Sequence, residues 1–217
     1  MRYRAVIFDL WQTLVPFPVE SARKMYAELA STWGADSEAF HEVWIRRRRE
    51  REIGPIEPHL RSIAEELGLT GDIEAVMAMR RQWTSKSLVP RDDAVSTLEE
   101  LRRRGHRLGM ISACSQDVPD VWEETPFGEL FDSTVFSCSV GVSKPDRRIY
   151  ELAADELGVE PADCLFVGDG ANDELPGAER AGMTAVQLRA PGEELTPEGE
   201  RWEGRYVSRL SDVLELA

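Results

Sequence analysis

The stretch Ala5-Val-Ile-Phe8, followed at once by Asp9, decides how this chain is read. Four apolar residues, two of them β-branched, end abruptly in a carboxylate. A short run of this kind, with no alternation of polar and apolar positions, suits a strand of a parallel sheet buried on both faces. The same arrangement returns downstream: Leu108-Gly-Met-Ile111 runs into Ser112, and Leu165-Phe-Val-Gly168 runs into Asp169. The spacing predicts strands over 4–8, 106–112, 134–138, 164–168 and 184–188.

Segments of helical period separate these runs. Val95, Leu98 and Leu101 share one face of a helix over 93–104 that stops at Gly105; further helices are predicted over 147–157 and through Ala181, and a polar one after Ser112. Helix alternating with strand gives an α/β fold, a Rossmann-like core built on a parallel sheet covered on both faces. Residues 16–88 break the alternation. Ala22, Met25, Leu29 and Trp33 recur at helical spacing, Gly34 stops that helix, and Asp36 or Ser37 can cap the next. Phe40, Val43 and Trp44 form a second apolar face, Leu60, Ile63 and Leu67 a third, and Ile73, Val76 and Met77 a fourth. The expected organisation is therefore a core of residues 1–15 and 89–217 with an inserted α-helical domain of residues 16–88. The stretch Ala190–Glu203, rich in Pro, Gly and Glu, is predicted as a surface loop.

The 217 residues are 42% hydrophobic and 30% charged, with a formal net charge of -14. Such an acidic surface repels phosphate backbones, which argues against nucleic acid as a partner; a small phosphorylated substrate remains compatible, since a bound cation reverses the local field. No apolar run approaches the roughly 20 residues of a membrane span, and Met1 leads almost directly into the first strand, so a cytoplasmic protein without membrane partners is expected, as a monomer or homodimer. Cys114, Cys138 and Cys164 are odd in number and lack a paired spacing, which predicts buried free thiols.

In open parallel sheets, sites form beyond the carboxyl ends of strands. Asp9, Ser112 and Asp169 all stand there, and Lys144 precedes a helix. These residues carry a family resemblance. Phe8-Asp-Leu-Trp-Gln-Thr-Leu14, Ile111-Ser-Ala-Cys114, Val142-Ser-Lys-Pro-Asp146 and Val167-Gly-Asp-Gly-Ala-Asn-Asp173 resemble, in order and separation, the four motifs of the haloacid dehalogenase-like (HAD) superfamily. The resemblance spans essentially the whole chain. It implies a HAD-like core with a small helical cap, and a hydrolase that forms a covalent intermediate on Asp9, most often a phosphatase of small phosphorylated metabolites. It further implies Mg2+ held by Asp9, the Trp11 backbone carbonyl and Asp169, with Asp173 supporting the ion from behind or through water. Lys144 and the Ser112 hydroxyl would bind the oxygens of the transferring group, and Thr13 and the Ala113 backbone N–H would add hydrogen bonds.

One position departs from the family pattern. Its phosphatases carry a second Asp two residues after the nucleophile, which protonates the leaving alkoxide; here Trp11 stands there, beside Gln12 in place of a common Gly. Loss of a general acid costs about 10²–10⁴ in rate. His41, His59, Glu52 and Glu57 are the candidates to substitute for it. The aromatic residue also resembles the L-2-haloacid dehalogenases, which need no metal, although Gly168-Asp169 differs from their fourth motif. Phosphonatases use a lysine of the insertion, where only Lys24 and Lys86 occur. A binding or regulatory protein of weak turnover is the remaining alternative. The basic run Arg46–Arg51 is read either as a solvated face pairing with Glu42 and Glu50 or as an anion-binding group facing the site.

Overall fold

The computed structural model describes residues 2–217. β1 (Ala5–Phe8) lies mid-sheet, and every residue in it is buried. It pairs in parallel with β2 (Arg107–Ser112) on one side and β4 (Cys164–Gly168) on the other. β3 (Ser133–Phe136), β5 (Thr184–Leu188) and β6 (Tyr206–Val207) complete a six-stranded sheet in the order β3-β2-β1-β4-β5-β6. The chain first winds outward from β1 through β2 to β3, then crosses back to β4. The strand order thus reverses between β1 and β4, where Phe8 pairs with Val167, and open α/β sheets place their sites at such a reversal.

Alternate β1 residues feed opposite faces of the sheet. Val6 and Phe8 join Leu98, Leu101, Leu108 and Leu165 beneath α6 (Ala94–Arg103). Ala5 and Ile7 join Ile149, Ala153, Leu175 and Ala178 of α8 (Arg147–Leu157) and α9 (Glu174–Ala181). Truncating Phe8 to Ala at this centre would cost about 3–5 kcal/mol. Local chemistry sets the helix bounds. The Asp146 side chain caps α8 by accepting from the Arg148 N–H at 3.0 Å, and Gly158 ends it in the left-handed region at φ 64°.

Residues between β1 and α6 form five helices: α1 (Val19–Thr32), α2 (Ser37–Arg46), α3 (Arg48–Glu52), α4 (Ile56–Glu66) and α5 (Ile73–Ser87). They bury a core of their own around Leu29, Phe40, Trp44, Leu60, Ile63 and Val76. Asp36 caps α2, and Asp72 caps α5.

Several expectations shift in detail. The third strand ends at Phe136, and Cys138 falls in the short helix α7 (Ser137–Val140). The buried Ser137 hydroxyl exchanges hydrogen bonds with the Cys114 backbone, taking the place of a continued ladder. The helix expected after Ser112 is a 3-10 turn over Pro119–Glu124. The loop 190–203 contains the single-turn α10 (Pro197–Glu200). All three cysteines are free and buried, as expected. Among the described residues no helix is long and apolar enough to cross a membrane.

Candidate active site

Asp9 leaves β1 buried, and its backbone N–H donates to the Val167 carbonyl at 2.9 Å, which fixes it beside β4. Lys144 reaches it from the loop before α8. Its ammonium donates to Asp9 Oδ1 and to Glu174 Oε2, the second at 2.5 Å. Asp169 follows β4, and Glu174 opens α9. Carboxylate oxygens of Asp9, Asp169 and Glu174 lie within 4.8 Å of one another, all three residues buried.

Glu174 was not singled out from the sequence; Asp173 was. The structure places Asp173 outside the group, exposed and paired with Arg201 at 3.3 Å. The backbone explains the exchange. Gly170, Asn172 and Asp173 all have positive φ, of 97°, 57° and 53°, so the loop curls and turns Asp173 outward before α9 begins. Glu174 then folds back beneath the end of β4, where its Oε1 accepts from the Gly170 N–H at 3.0 Å. A Cβ at Gly168 would meet that Oε1 at 2.1 Å, so the glycine makes the room.

Three buried carboxylates surround one ammonium that bonds two of them, and their ionisation reflects it. Burial, then the Glu174 charge, pushes Asp9 up to about 6. Burial, then Asp9, pushes Asp169 up to about 6. Burial pushes Glu174 up to about 7, against the pull of Lys144. Burial alone would lower Lys144, but Asp9 and Glu174 reverse that, and its pKa rises well above the ordinary lysine value. Asp9 Oδ2, Thr13 Oγ1 and Ser112 Oγ are sealed from solvent without a hydrogen-bond partner. Buried polar atoms are rarely left so, and these three belong to residues at the end of β2 or just after β1. The surplus of negative charge and the all-oxygen donor set fit a hard divalent cation.

Above these residues opens a cavity of about 490 Å³, and Asp9, Trp11, Ala113, Lys144, Asp169 and Glu174 all line it. Thr13 and Ser112 are buried and are not among the residues that line it. Trp11 is half-buried; its ring stacks on Trp83 of α5 at 6.2 Å and meets the edge of Phe17 at 5.6 Å. Gln12 adopts φ 66°, the conformation for which a glycine would be the ordinary choice. Among the candidate replacements for an acid at position 11, His41 and Glu52 reach the cavity, whereas His59 is buried beside Trp44 and Glu57 pairs with Arg61 at the surface. Lys24 and Lys86 are exposed and do not line it.

The family model for haloacid dehalogenase-like hydrolases matches residues 3–182. The chain belongs to this family. It is 29% identical over 197 residues to a glyceraldehyde 3-phosphate phosphatase of Methanopyrus kandleri, covering 86% of this chain and 84% of the relative. It is equally 29% identical to an (S)-2-haloacid dehalogenase of a Pseudomonas strain, covering 98% of this chain and 94% of that one. A HAD phosphatase from Thermococcus onnurineus superposes with a TM-score of 0.69 at 21% identity, covering 98% and 97% of the two chains; that likeness speaks for the fold. The hydrolase thus stands at equal identity to a phosphatase and a dehalogenase, and its own residues must separate the two.

Arg91 is a further residue the sequence reading missed. It follows the helical insertion, and its guanidinium donates to the carbonyls of Thr13 and Gln12, each at 2.8 Å, while pairing with Glu193 at 2.5 Å. It therefore grips the loop that carries Asp9. An arginine in a polar stretch carries no sequence signal for such a role.

Proposed function

We propose that this hydrolase is a magnesium-dependent phosphatase of a small phosphorylated metabolite, acting through an aspartyl-phosphate on Asp9. The observation that carries the reading is the buried trio Asp9, Asp169 and Glu174 at the reversal of the strand order. Together with the Trp11 carbonyl, these residues would hold Mg2+, which when bound offsets the negative charge between nucleophile and phosphoryl group. The dehalogenase reading is favoured by the aromatic Trp11. It is opposed by charge: a 2-haloacid carries its carboxylate beside the attacked carbon, and so beside Asp169 and Glu174.

Asp9 Oδ2 has no protein partner and attacks phosphorus, forming the O–P bond as the bond to the leaving oxygen breaks. Lys144 holds Asp9 in place through Oδ1. Its charge, the Ser112 and Thr13 hydroxyls and the Ala113 N–H offset the charge that builds on the phosphoryl oxygens. Water then hydrolyses the aspartyl-phosphate and regenerates Asp9. The Trp11 indole donates no proton to an alkoxide, so departure depends on the leaving group's own stability. Residues 16–88 serve as a cap over the core of residues 1–15 and 89–217, walling the site with Trp83 and α2–α3.

The test is phosphate release from aryl and alkyl phosphomonoesters, with magnesium and with a chelator. Turnover that requires magnesium, favours aryl esters and disappears in Asp9→Asn is expected. Halide release from 2-chloropropionate without metal, and no phosphate release, would overturn the reading in favour of the dehalogenase. No reaction on either panel would leave a binding role.

A further inference from the structure

The cavity has two electrostatic ends. Its floor is the carboxylate trio with Lys144; its opposite wall, from the helical insertion, carries Arg23, Arg48, Arg51 and Arg80. Two of these guanidiniums are already committed, Arg48 to Glu52 and Arg80 to Asp117. Arg51 is not. It is only 7% exposed, its Nη1 donates to the Trp44 carbonyl at 2.7 Å, and its plane lies over the Trp44 ring, 4.3 Å from the centroid. Among the described residues no carboxylate pairs with it, and Nε and Nη2 have no partner. Neither nitrogen is among the sealed, unpartnered atoms, so each keeps some solvent contact, and Arg51 lines the cavity.

A buried charge without a counter-ion is costly. Burial, then the neighbouring Arg80, lowers the Arg51 guanidinium to about 10, and it still carries its charge at neutral pH. The protein as a whole is strongly acidic, at -14, and nevertheless leaves this buried cation unpaired; Arg23, which also lines the cavity without an ion pair among the described residues, is exposed to solvent. Nε–H and Nη2–H point in parallel and match the two oxygens of one carboxylate. A second phosphate would bring a charge of about -2 to one buried guanidinium, with Glu52 and Asp117 also lining the cavity.

We propose that Arg51 receives a carboxylate of the substrate, and that the hydrolase therefore acts on small phosphomonoesters that are also carboxylic acids. The proposal rests on the phosphatase reading for what happens at Asp9. A cavity of about 490 Å³ is of the size that encloses a small metabolite, and Trp11, packed on Trp83, lines it.

The test separates binding from turnover. Calorimetric titration of the Asp9→Asn protein, in magnesium chloride, compares 3-phosphoglycerate with glycerol 3-phosphate, which has a hydroxymethyl group where the first has its carboxylate. The carboxylated probe is expected to bind at least tenfold more tightly. Adding Arg51→Met should erase that ratio, and Arg51→Lys, which keeps the charge and loses the fork, should retain only part of it. Equal binding of the two probes with Arg51 intact, or no binding of either, overturns the proposal; so does a ratio that survives Arg51→Met. Should the methionine variant fail to fold, the intact ratio and the lysine variant decide. A tenfold ratio in a protein whose wild type cleaves no phosphomonoester would sink the phosphatase reading and leave Arg51 standing. Brisk cleavage of aryl phosphates with no ratio would do the reverse.

Discussion

Asp9, Asp169 and Glu174 are held together against their own repulsion. An acid whose pKa is raised on folding binds protons in the folded state that the unfolded chain has already lost. The stability it contributes is complete below the unfolded value and disappears as pH rises through the folded one. Here the unfolded values are 3.8, 3.8 and 4.5 and the folded ones about 6, 6 and 7, so the metal-free trio destabilises the protein progressively from about pH 4 to pH 7. A cation that binds the ionised trio relieves that repulsion. Magnesium is therefore expected to raise the melting temperature more at pH 8 than at pH 5, as read by differential scanning calorimetry. An equal rise at both pH values, or none, would refute the assignment of these three carboxylates to the metal. Trp11 permits a second prediction. Trp11→Asp restores a carboxyl group at the position of the missing acid and should narrow the ratio of aryl to alkyl phosphate turnover by at least about tenfold, the low end of a general acid's contribution. An unchanged ratio would mean that leaving-group protonation does not limit the enzyme. At this scale the sequence was legible wherever a residue ends a strand: Asp9, Ser112 and Asp169 all stand where the apolar runs stop. It was illegible by one residue at Asp173-Glu174, because two adjacent acids are indistinguishable until the left-handed turns of the loop decide which one faces inward. Gly168, the small residue that makes room for Glu174, was the available clue.

At the scale of elements, the loop between β1 and α1 carries the most local tension. Gln12 sits at φ 66°, which costs a non-glycine residue about 1–2 kcal/mol, and Thr13 follows it directly. Arg91, 12% exposed in its side chain, holds both carbonyls from the far end of the insertion, so the two chain crossings between core and helices are tied at one guanidinium. Arg91→Ala should leave KM nearly unchanged and lower kcat about tenfold, roughly 1.4 kcal/mol of barrier, by loosening the segment that aims Asp9. Arg91→Lys should not rescue it, since one ammonium cannot reproduce a planar fork. Steady-state kinetics with an aryl phosphate check this, and wild-type kcat in Arg91→Ala would remove the role. Element types were largely readable. Strands 164–168 and 184–188 and the helix 147–157 emerge at their predicted bounds, because apolar runs and capping residues agree there. Short pieces escaped. α3, α10 and β6 are five residues or fewer, too short for any periodicity, and they exist because tertiary neighbours hold them. Within the basic run Arg46–Arg51, Arg46, Arg47 and Arg48 pair with Glu66, Glu50 and Glu52, so of the two expected partners Glu50 takes part and Glu42 does not, while Arg51 is buried and lines the cavity.

Across the whole molecule, function depends on how the helical insertion meets the sheet, and one buried ion pair spans that junction. Arg80 of α5 donates from Nη2 to both oxygens of Asp117 at 2.9 Å and to the Ser115 hydroxyl at 2.9 Å. Thr84 adds its own hydroxyl to Asp117. Burial would raise the Asp117 carboxyl, but Arg80 and these hydroxyls hold it below the ordinary aspartate range. Ser115 and Asp117 lie on the segment that leaves β2 through Ser112 and Ala113, so the same contact that seats the insertion also positions the residues proposed to bind phosphate. The sequence showed both halves of this contact as ordinary charged residues, 37 positions apart; only the packing of α5 over the β2 loop makes them a pair. Removing one partner of a buried pair leaves the other charge uncompensated, which costs about 3–5 kcal/mol, whereas removing both is far milder. Arg80→Met alone should therefore lower the urea midpoint sharply, and Arg80→Met with Asp117→Asn should recover at least half of the loss. Asn keeps one acceptor oxygen and presents an amide donor where the other oxygen stood, so one of the bonds from Ser115 and Thr84 is lost and the recovery is partial. Simple additivity of the two single losses would show that Arg80 and Asp117 act independently, and that the insertion is seated instead by its aromatic contact at Trp11 and Trp83.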